Sequence, residues 1–230
     1  MLKLEDCVIE NGGFRLSANL TIRTGSSVAI IGPSGAGKST LLEALAGFRD
    51  LSQGKILWNG NELTTQPPGK RPLAMLFQDG NLFPHLTVAQ NVTLGIRTQG
   101  HVTPDEQSQV DQALIRVGLS GMQTRKPAAL SGGQQSRAAL ARVLVQHRDL
   151  LLMDEPFAAL GPALKAEMLD LVAELIAETG TTLLMVSHDP ADARRIAGES
   201  ILVVDQIAFP PQETIALFDN PPQALRDYLG

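Results

Sequence analysis

"AIIGPSGAGKST", residues 29–40, decides how the rest of the chain is read. Gly32, Gly37, Lys38 and Ser39 stand at the spacing G-x-x-x-x-G-K-[ST], directly after the apolar run "SVAII" and directly before the helix pattern "STLLEALAG". The glycines let the backbone of a loop made of Gly32, Pro33, Ser34, Gly35, Ala36, Gly37, Lys38, Ser39 and Thr40 wrap a row of phosphates. Lys38 can reach the β- and γ-phosphates, and Ser39 offers a hydroxyl to Mg²⁺. An ordinary turn matches such a pattern by chance. A strand on one side and a helix on the other favour a nucleotide.

Outward from this loop, strand and helix patterns alternate. "LKLEDCVI" and "FRLSANLTI" alternate like strands with one wet face, and "GKILWNG" ends on the turn signal Asn59-Gly60. These predict an antiparallel sheet near the N-terminus. "SVAII", "LAMLF", "LLLMD", "TTLLMV" and "SILVVD" are continuous apolar runs, as buried parallel strands require. From about residue 79 to 147 the chain reads as helices only. There "TPDEQSQVDQALIRVG" has Thr103 as N-cap, Pro104 at the first helical position and a stop at Gly118. The expectation is one domain over residues 1–230, with a core from 1–78 and 148–230 and a helical insert at 79–147.

Three further sites carry chemistry. "LLLMDEP" is a buried strand ending in two carboxylates, where a phosphate-loop fold holds Mg²⁺ through Asp154. Glu155 beside it is placed to orient and deprotonate a water, although solvated acids also end strands in ordinary ways. His188 follows another apolar strand and precedes a helix start at Asp189 and Pro190, on the edge where α/β sites gather. Finally, Ser131, Gly132, Gly133 and Gln134 open a helix, a second anion site without a lysine.

Composition narrows the classes. Of 230 residues 43% are hydrophobic, enough for a substantial core, and 19 basic against 24 acidic residues leave −5. That balance argues against broad nucleic-acid binding, which needs clustered Lys and Arg. No stretch approaches the ~18 apolar residues of a membrane span, and the opening "MLKLEDCVIE" lacks the apolar core of a secretory signal. Cys7 is the single cysteine, so no internal disulfide forms, which fits a reducing compartment.

Together the phosphate loop, "LSGGQ" at 130–134, "LLLMDEP" and the placement of His188 resemble the ATP-binding subunits of ABC transporters over nearly the whole chain. The resemblance implies a RecA-like α/β fold: a parallel P-loop NTPase sheet, an N-terminal antiparallel β subdomain and an inserted helical subdomain. It implies ATP and Mg²⁺ as cofactors, ATP hydrolysis, and Gln78 as the family's Q-loop residue near Mg²⁺ or the attacking water. It also implies a homodimer with ATP sandwiched between subunits, so that Ser131 and Gly133 of one protomer face the γ-phosphate held by Lys38 of the other. Integral membrane permease subunits would bind segment 79–95, with Phe83 and Leu86 as contacts or as core residues of the insert. A periplasmic substrate-binding protein takes part indirectly, and the subunit sits peripherally on the cytoplasmic face of the bacterial inner membrane.

Among importers, "RPLAMLFQDGNLFPHLTVAQNV" and "TLLMVSHDPADARRIA" are most similar to subunits of thiamine importers, while polyamine and ferric-ion importers share much of the wording. Unfused exporters and cell-division relatives are the rival reading. A P-loop kinase or GTPase has no use for "LSGGQ". Three departures stand out. Gln135 replaces a common basic residue, a change expected to be harmless. "AALG" puts Gly161 where the family's D-loop has an acid. The aromatic that stacks on adenine is missing, and Phe14 either substitutes for it or packs the N-terminal sheet.

Overall fold

A computed structural model of the chain describes residues 1–78 and 80–229. Asp79, the first residue of the segment expected to meet the permease, lies outside the described residues, as does Gly230.

The N-terminal sheet forms as its alternation dictates. Strands β1 (Leu2–Asn11), β2 (Phe14–Ile22), β4 (Gln53–Trp58) and β5 (Asn61–Glu62) pair antiparallel, with Leu16, Ala18, Leu20 and Ile22 of β2 turned inward. Trp58 pairs with Asn61 across Asn59-Gly60, both at positive φ, the two-residue turn that suits strand twist.

The continuous apolar runs form the parallel layer. Strands β3 (Ser27–Ile31), β6 (Leu73–Leu76), β7 (Leu150–Asp154), β8 (Thr182–Val186) and β9 (Glu199–Val204) lie in the order β9-β3-β8-β7-β6, every neighbouring pair parallel. Alternate residues feed two cores. Ala29, Ile31, Leu151, Met153, Leu183 and Met185 face one apolar cluster, while Val28, Ile30, Leu150, Leu152, Leu184 and Val186 face the other. Burial on both faces explains why these strands read as unbroken hydrophobic runs.

Two short strands were not foreseen. β10 (Ile207–Ala208) folds back antiparallel on β9 and parallel on β2, joining both layers into one 11-stranded sheet, and β11 (Gln212–Glu213) pairs β9. Two residues carry no periodic signal.

The helices expected after the phosphate loop, in the insert, and after Gly161 and Asp189 are present, and two short ones near the C-terminus were not foreseen. α1 (Lys38–Ala46) follows β3 and packs in the second core with the antiparallel layer. Between β6 and β7 the described residues hold α2 (Val88–Thr93), α3 (Pro104–Arg116) and α4 (Gly132–Leu144), and no strand. Thr103 and Glu106 make the reciprocal capping box that starts α3. Then come α5 (Pro162–Thr179), α6 (Pro190–Ile196), α7 (Thr214–Asp219) and α8 (Gln223–Leu229). No helix among the described residues is long and apolar enough to cross a membrane.

Arg71 ties α1 to the entry of β6. The residue is 4% exposed, and its guanidinium donates to the carbonyls of Ala44 and Leu45 at 2.7 Å each, of Gln66 at 2.9 Å and of Thr64 at 3.2 Å. It therefore satisfies the C-terminal carbonyls of the helix that begins at the phosphate loop. Arg71→Met should remove donors from four carbonyls and destabilise the fold by about 3 kcal/mol, given charged hydrogen bonds of ~1.5–3 kcal/mol apiece and partial compensation by water. Urea unfolding measures this, and a loss under about 1 kcal/mol would contradict the role given to Arg71.

Candidate nucleotide site

The register of the parallel strands gathers the sequence-predicted residues at one edge. Leu76 pairs Met153 and Asp154 pairs Val186, so Asp154 ends β7 and Gln78, Glu155 and His188 lie just beyond the C-terminal ends of β6, β7 and β8. The loop after β3 reaches the same edge. Ser39 Oγ donates to Asp154 Oδ1 at 3.0 Å, joining the start of α1 to the end of β7.

The loop needs its glycines. Gly32 has φ +147, and a Cβ there would come within 2.0 Å of the Val203 carbonyl oxygen. Gly37, φ +108, is the N-cap of α1, and a Cβ on it would lie 2.7 Å from Phe14 Cζ. Pro33, Ser34, Gly35 and Ala36 form the turn between them, closed by the Ala36 N–H to Pro33 oxygen bond at 3.2 Å. Ser34 and Gly35 are exposed at its tip. Lys38 is 7% exposed and donates to the Gly32 and Pro33 carbonyls at 2.8 and 2.9 Å. Burial pulls its ammonium below the usual lysine range, against the opposing charges of Glu155 and Asp154.

Glu155 has φ +43, a left-handed conformation costing on the order of 1–2 kcal/mol for a residue with a Cβ. Its N–H bonds the Val186 carbonyl at 3.2 Å, and its Oε2 lies 3.1 Å from His188 Nδ1. The two side chains that the sequence marked separately are thus in contact. Gln78 is exposed at the adjoining strand end.

The pattern of the family described as ABC transporter matches residues 16–158. The chain belongs to the ABC transporter family. It is similar to the thiamine import ATP-binding protein ThiQ of Ruegeria sp. (strain TM1040), 65% identical over all 230 residues and the whole of that protein. To its counterpart in Brucella suis biovar 1 it is 46% identical, covering 100% of this chain and 95% of that one. Among solved structures it resembles the dimeric ATP-binding cassette MJ0796 bound to ADP and Pi, at TM-score 0.80 and 28% identity over 93% of this chain and 99% of that one. It also resembles cbiO1 from Clostridium perfringens, part of the ABC transporter complex cbiONQ, at TM-score 0.85 and 27% identity over 98% and 93%. The cassette is an ATPase with the α/β P-loop fold that the sequence led us to expect.

The segment read from sequence as a second anion site is the start of α4. Ser131 is its N-cap and exchanges hydrogen bonds with Gln134, at 3.3 Å to the Gln134 N–H and 3.0 Å from the Ser131 N–H to Gln134 Oε1. Ser131 and Gly132 are exposed, whereas Gly133 is buried against Leu164 of α5, where a Cβ would come within 2.3 Å. Gln135 anchors the preceding loop through Nε2 to the Pro127 and Leu130 carbonyls, at 3.2 and 3.3 Å. Arg137 bonds the Val117 carbonyl at 2.9 Å and Glu167 of α5 at 2.5 Å.

Phe14 is half-buried with its ring edge on Gly37, at the phosphate loop itself. Gly161 caps α5 without a side chain, and nothing lies within 4 Å of where its Cβ would stand. Phe83 is 46% exposed, its ring edge-on to His85, outside the core, while Leu86 is half-buried. Sequence reasoning missed an aromatic pair beside Gln78: Phe48, 57% exposed, lies 5.9 Å from Phe77 between ring centroids. The two come from separate elements, so no local pattern could reveal them.

Burial raises the Asp154 carboxyl above the usual range, the Ser39 hydrogen bond pulling the other way. A raised folded-state value means that the ionised carboxylate opposes folding above it, and that this cost fades as pH falls through it. Asp154→Asn keeps an acceptor for Ser39 and removes the charge. It should raise the Tm of the nucleotide-free cassette at pH 8, with a smaller gain at pH 5. A Tm unchanged or lowered at pH 8 would refute this electrostatic account.

Proposed function

We propose that the cassette powers thiamine import, hydrolysing ATP as a homodimer on the cytoplasmic face of the bacterial inner membrane, against integral permease subunits served by a periplasmic binding protein. One observation carries the substrate: end-to-end similarity, at 65% and 46% identity, to proteins named for thiamine import. The head-to-tail dimer is supported by the dimeric neighbour with ADP and Pi, and by an exposed helix N-terminus at Ser131 that lacks its own lysine.

Each site residue then has a task. Lys38 turns from the Gly32 and Pro33 carbonyls to the β- and γ-phosphate oxygens, trading neutral acceptors for charged ones. Loop backbone from Gly32 to Thr40 cradles the phosphates. Ser39 and Asp154, a hydroxyl and a carboxylate 3.0 Å apart, fit the oxygen ligands that Mg²⁺ prefers, with Gln78 at the adjoining strand end. When bound, Mg²⁺ neutralises charge on the transferring phosphoryl group. Glu155 accepts a proton from the attacking water, and His188 Nδ1 at 3.1 Å orients that carboxylate. Ser131, Gly132, Gly133 and Gln134 of the partner protomer cap the γ-phosphate with a helix N-terminus. Phe14, against Gly37, offers its ring to adenine.

Residues 79–147 act as a helical subdomain inserted in the nucleotide-binding core, carrying the Ser131 site. The exposed Phe48, its half-buried partner Phe77 and the exposed Phe83 form the apolar contact for the permease, with Leu86 bonded back to Phe83. Coupling then runs through Phe77, adjacent to Gln78.

Proteoliposomes holding the permease and cassette, with binding protein and thiamine on the receiving side, should accumulate thiamine when supplied with MgATP. Lys38→Ala should abolish uptake. Accumulation of a polyamine or ferric ion in place of thiamine would overturn the substrate. Glu155→Gln keeps shape but cannot take the proton, so hydrolysis should drop by about 10²–10⁴-fold while MgATP holds a dimer on sizing chromatography. A monomer under those conditions rules out the sandwich. Phe14→Ala should weaken ATP binding by ~1–2 kcal/mol, as loss of a stacked ring does. Unchanged affinity would make Phe14 a packing residue.

A further inference from the structure

Away from the phosphate loop, one charged cluster joins two segments of the site. Lys165 lies in the first turn of α5, its side chain 17% exposed, with Nζ 2.7 Å from Asp189 Oδ2 and 2.8 Å from Asp192 Oδ1. Its own N–H donates to the Gly161 carbonyl at 2.9 Å, the first hydrogen bond of that helix.

Both neighbours of His188 are held by this cluster. Asp192, 8% exposed, accepts from Ser187 Oγ at 2.6 Å. Asp189 donates its N–H to Ser187 Oγ at 3.1 Å and caps α6 by accepting from the Ala191 N–H at 2.9 Å. On the other side, the loop from Glu155 to Gly161 is closed by Ala158 N–H to Glu155 oxygen at 3.3 Å and Leu160 N–H to Phe157 oxygen at 3.0 Å. The 3.1 Å contact between His188 and Glu155 completes a ring: Glu155, the 158–161 loop, Lys165, Asp189 with Asp192, and His188.

Burial works against the Lys165 charge, yet its bonds to Asp189 and Asp192 outweigh it and hold the ammonium above the usual lysine range. Asp189 is lowered in turn, first by that same bond. An ammonium between two carboxylates fixes distance and direction in a way that an apolar side chain of equal length cannot.

We propose that Lys165 is a positioning residue for hydrolysis: by bridging Asp189 and Asp192 it sets His188 against Glu155 and passes any displacement of the 158–161 loop to that pair. This rests on the reading of Glu155 as general base. The 158–161 loop includes Gly161, which has no side chain with which to act, so the connection to His188 falls to the next turn of the helix.

The test compares Lys165→Met, Lys165→Arg, His188→Ala and the double variant Lys165→Met/His188→Ala. Labelled ATP in single turnover keeps slow rates readable, and direct binding gives ATP affinity. Misplacing a reacting group costs rate before affinity, so Lys165→Met should lose about tenfold in rate with Kd within about twofold of wild type. Lys165→Arg should recover most of the rate. The double variant should match His188→Ala alone, because Lys165 acts through His188. Wild-type rate in Lys165→Met, a Kd that weakens as much as the rate, or multiplicative losses in the double variant would each overturn the proposal. Should Lys165→Met fail to fold, Asp189→Asn removes one bridge, keeps an oxygen to cap α6, and must show the same split. A wild-type protein that does not hydrolyse MgATP overturns the hydrolytic reading itself, whereas an active wild type beside an unaffected Lys165→Met overturns only the positioning role.

Discussion

Parallel pairing of β3, β8, β7 and β6 is the constraint on which the site depends. Those four strands end at one edge, and register aligns the last residues of three of them: Asp154 opposite Val186, and Met153 opposite Leu76. A slip of one residue in β7 would send Met153 and Leu151 to the opposite cluster and turn the Asp154 side chain away from Ser39. The two apolar clusters hold that register, since each strand delivers alternate side chains to both. Packing on two faces therefore positions chemistry at the edge.

The site itself is costly for the fold. Lys38 is buried, Asp154 is pushed toward its neutral form, and Glu155 sits at positive φ. Of these, the buried Lys38 is the one that a phosphate chain would relieve, since its negative charge would suit that ammonium and a helix N-terminus, whereas the raised Asp154 carboxyl would be relieved by a cation. The surroundings offset the cost. Arg71 satisfies the far end of α1, and the Lys165 cluster pins the loops on either side of Glu155 and His188. A loop with a strained backbone at Glu155 and no side chain at Gly161 keeps its shape because the helix after it is tied down by charge.

Much of this was legible in sequence, for physical reasons. Unbroken apolar runs mark strands buried on both faces, Asn59-Gly60 marks a tight hairpin, and Thr103-Pro104 marks a helix start; all three are local signals. What escaped depends on contacts between distant segments. β10 and β11 are two residues each and exist only through pairing with β9 and β2. The Phe48–Phe77 pair forms where α1 ends near the exit of β6. Gln135 read as a missing positive charge, but in space it is the anchor of the loop before Ser131. The ring of Phe14 packs against the second core and at the same time meets Gly37 of the phosphate loop, a contact between distant segments.

The central claim is that Ser131 of one protomer completes the phosphate loop of another. A Ser34→Cys/Ser131→Cys variant treated with a short bifunctional thiol reagent tests it directly. Both serines are exposed, and Cys7 is fully buried with its thiol pushed up to about 11 by desolvation, so the native cysteine stays silent. With MgATP present, and Glu155→Gln added to hold the closed state, the account predicts a covalent dimer on a denaturing gel, and little of it without nucleotide. Monomer alone in the presence of MgATP, at protein concentrations where the cassette is saturated with nucleotide, would contradict it.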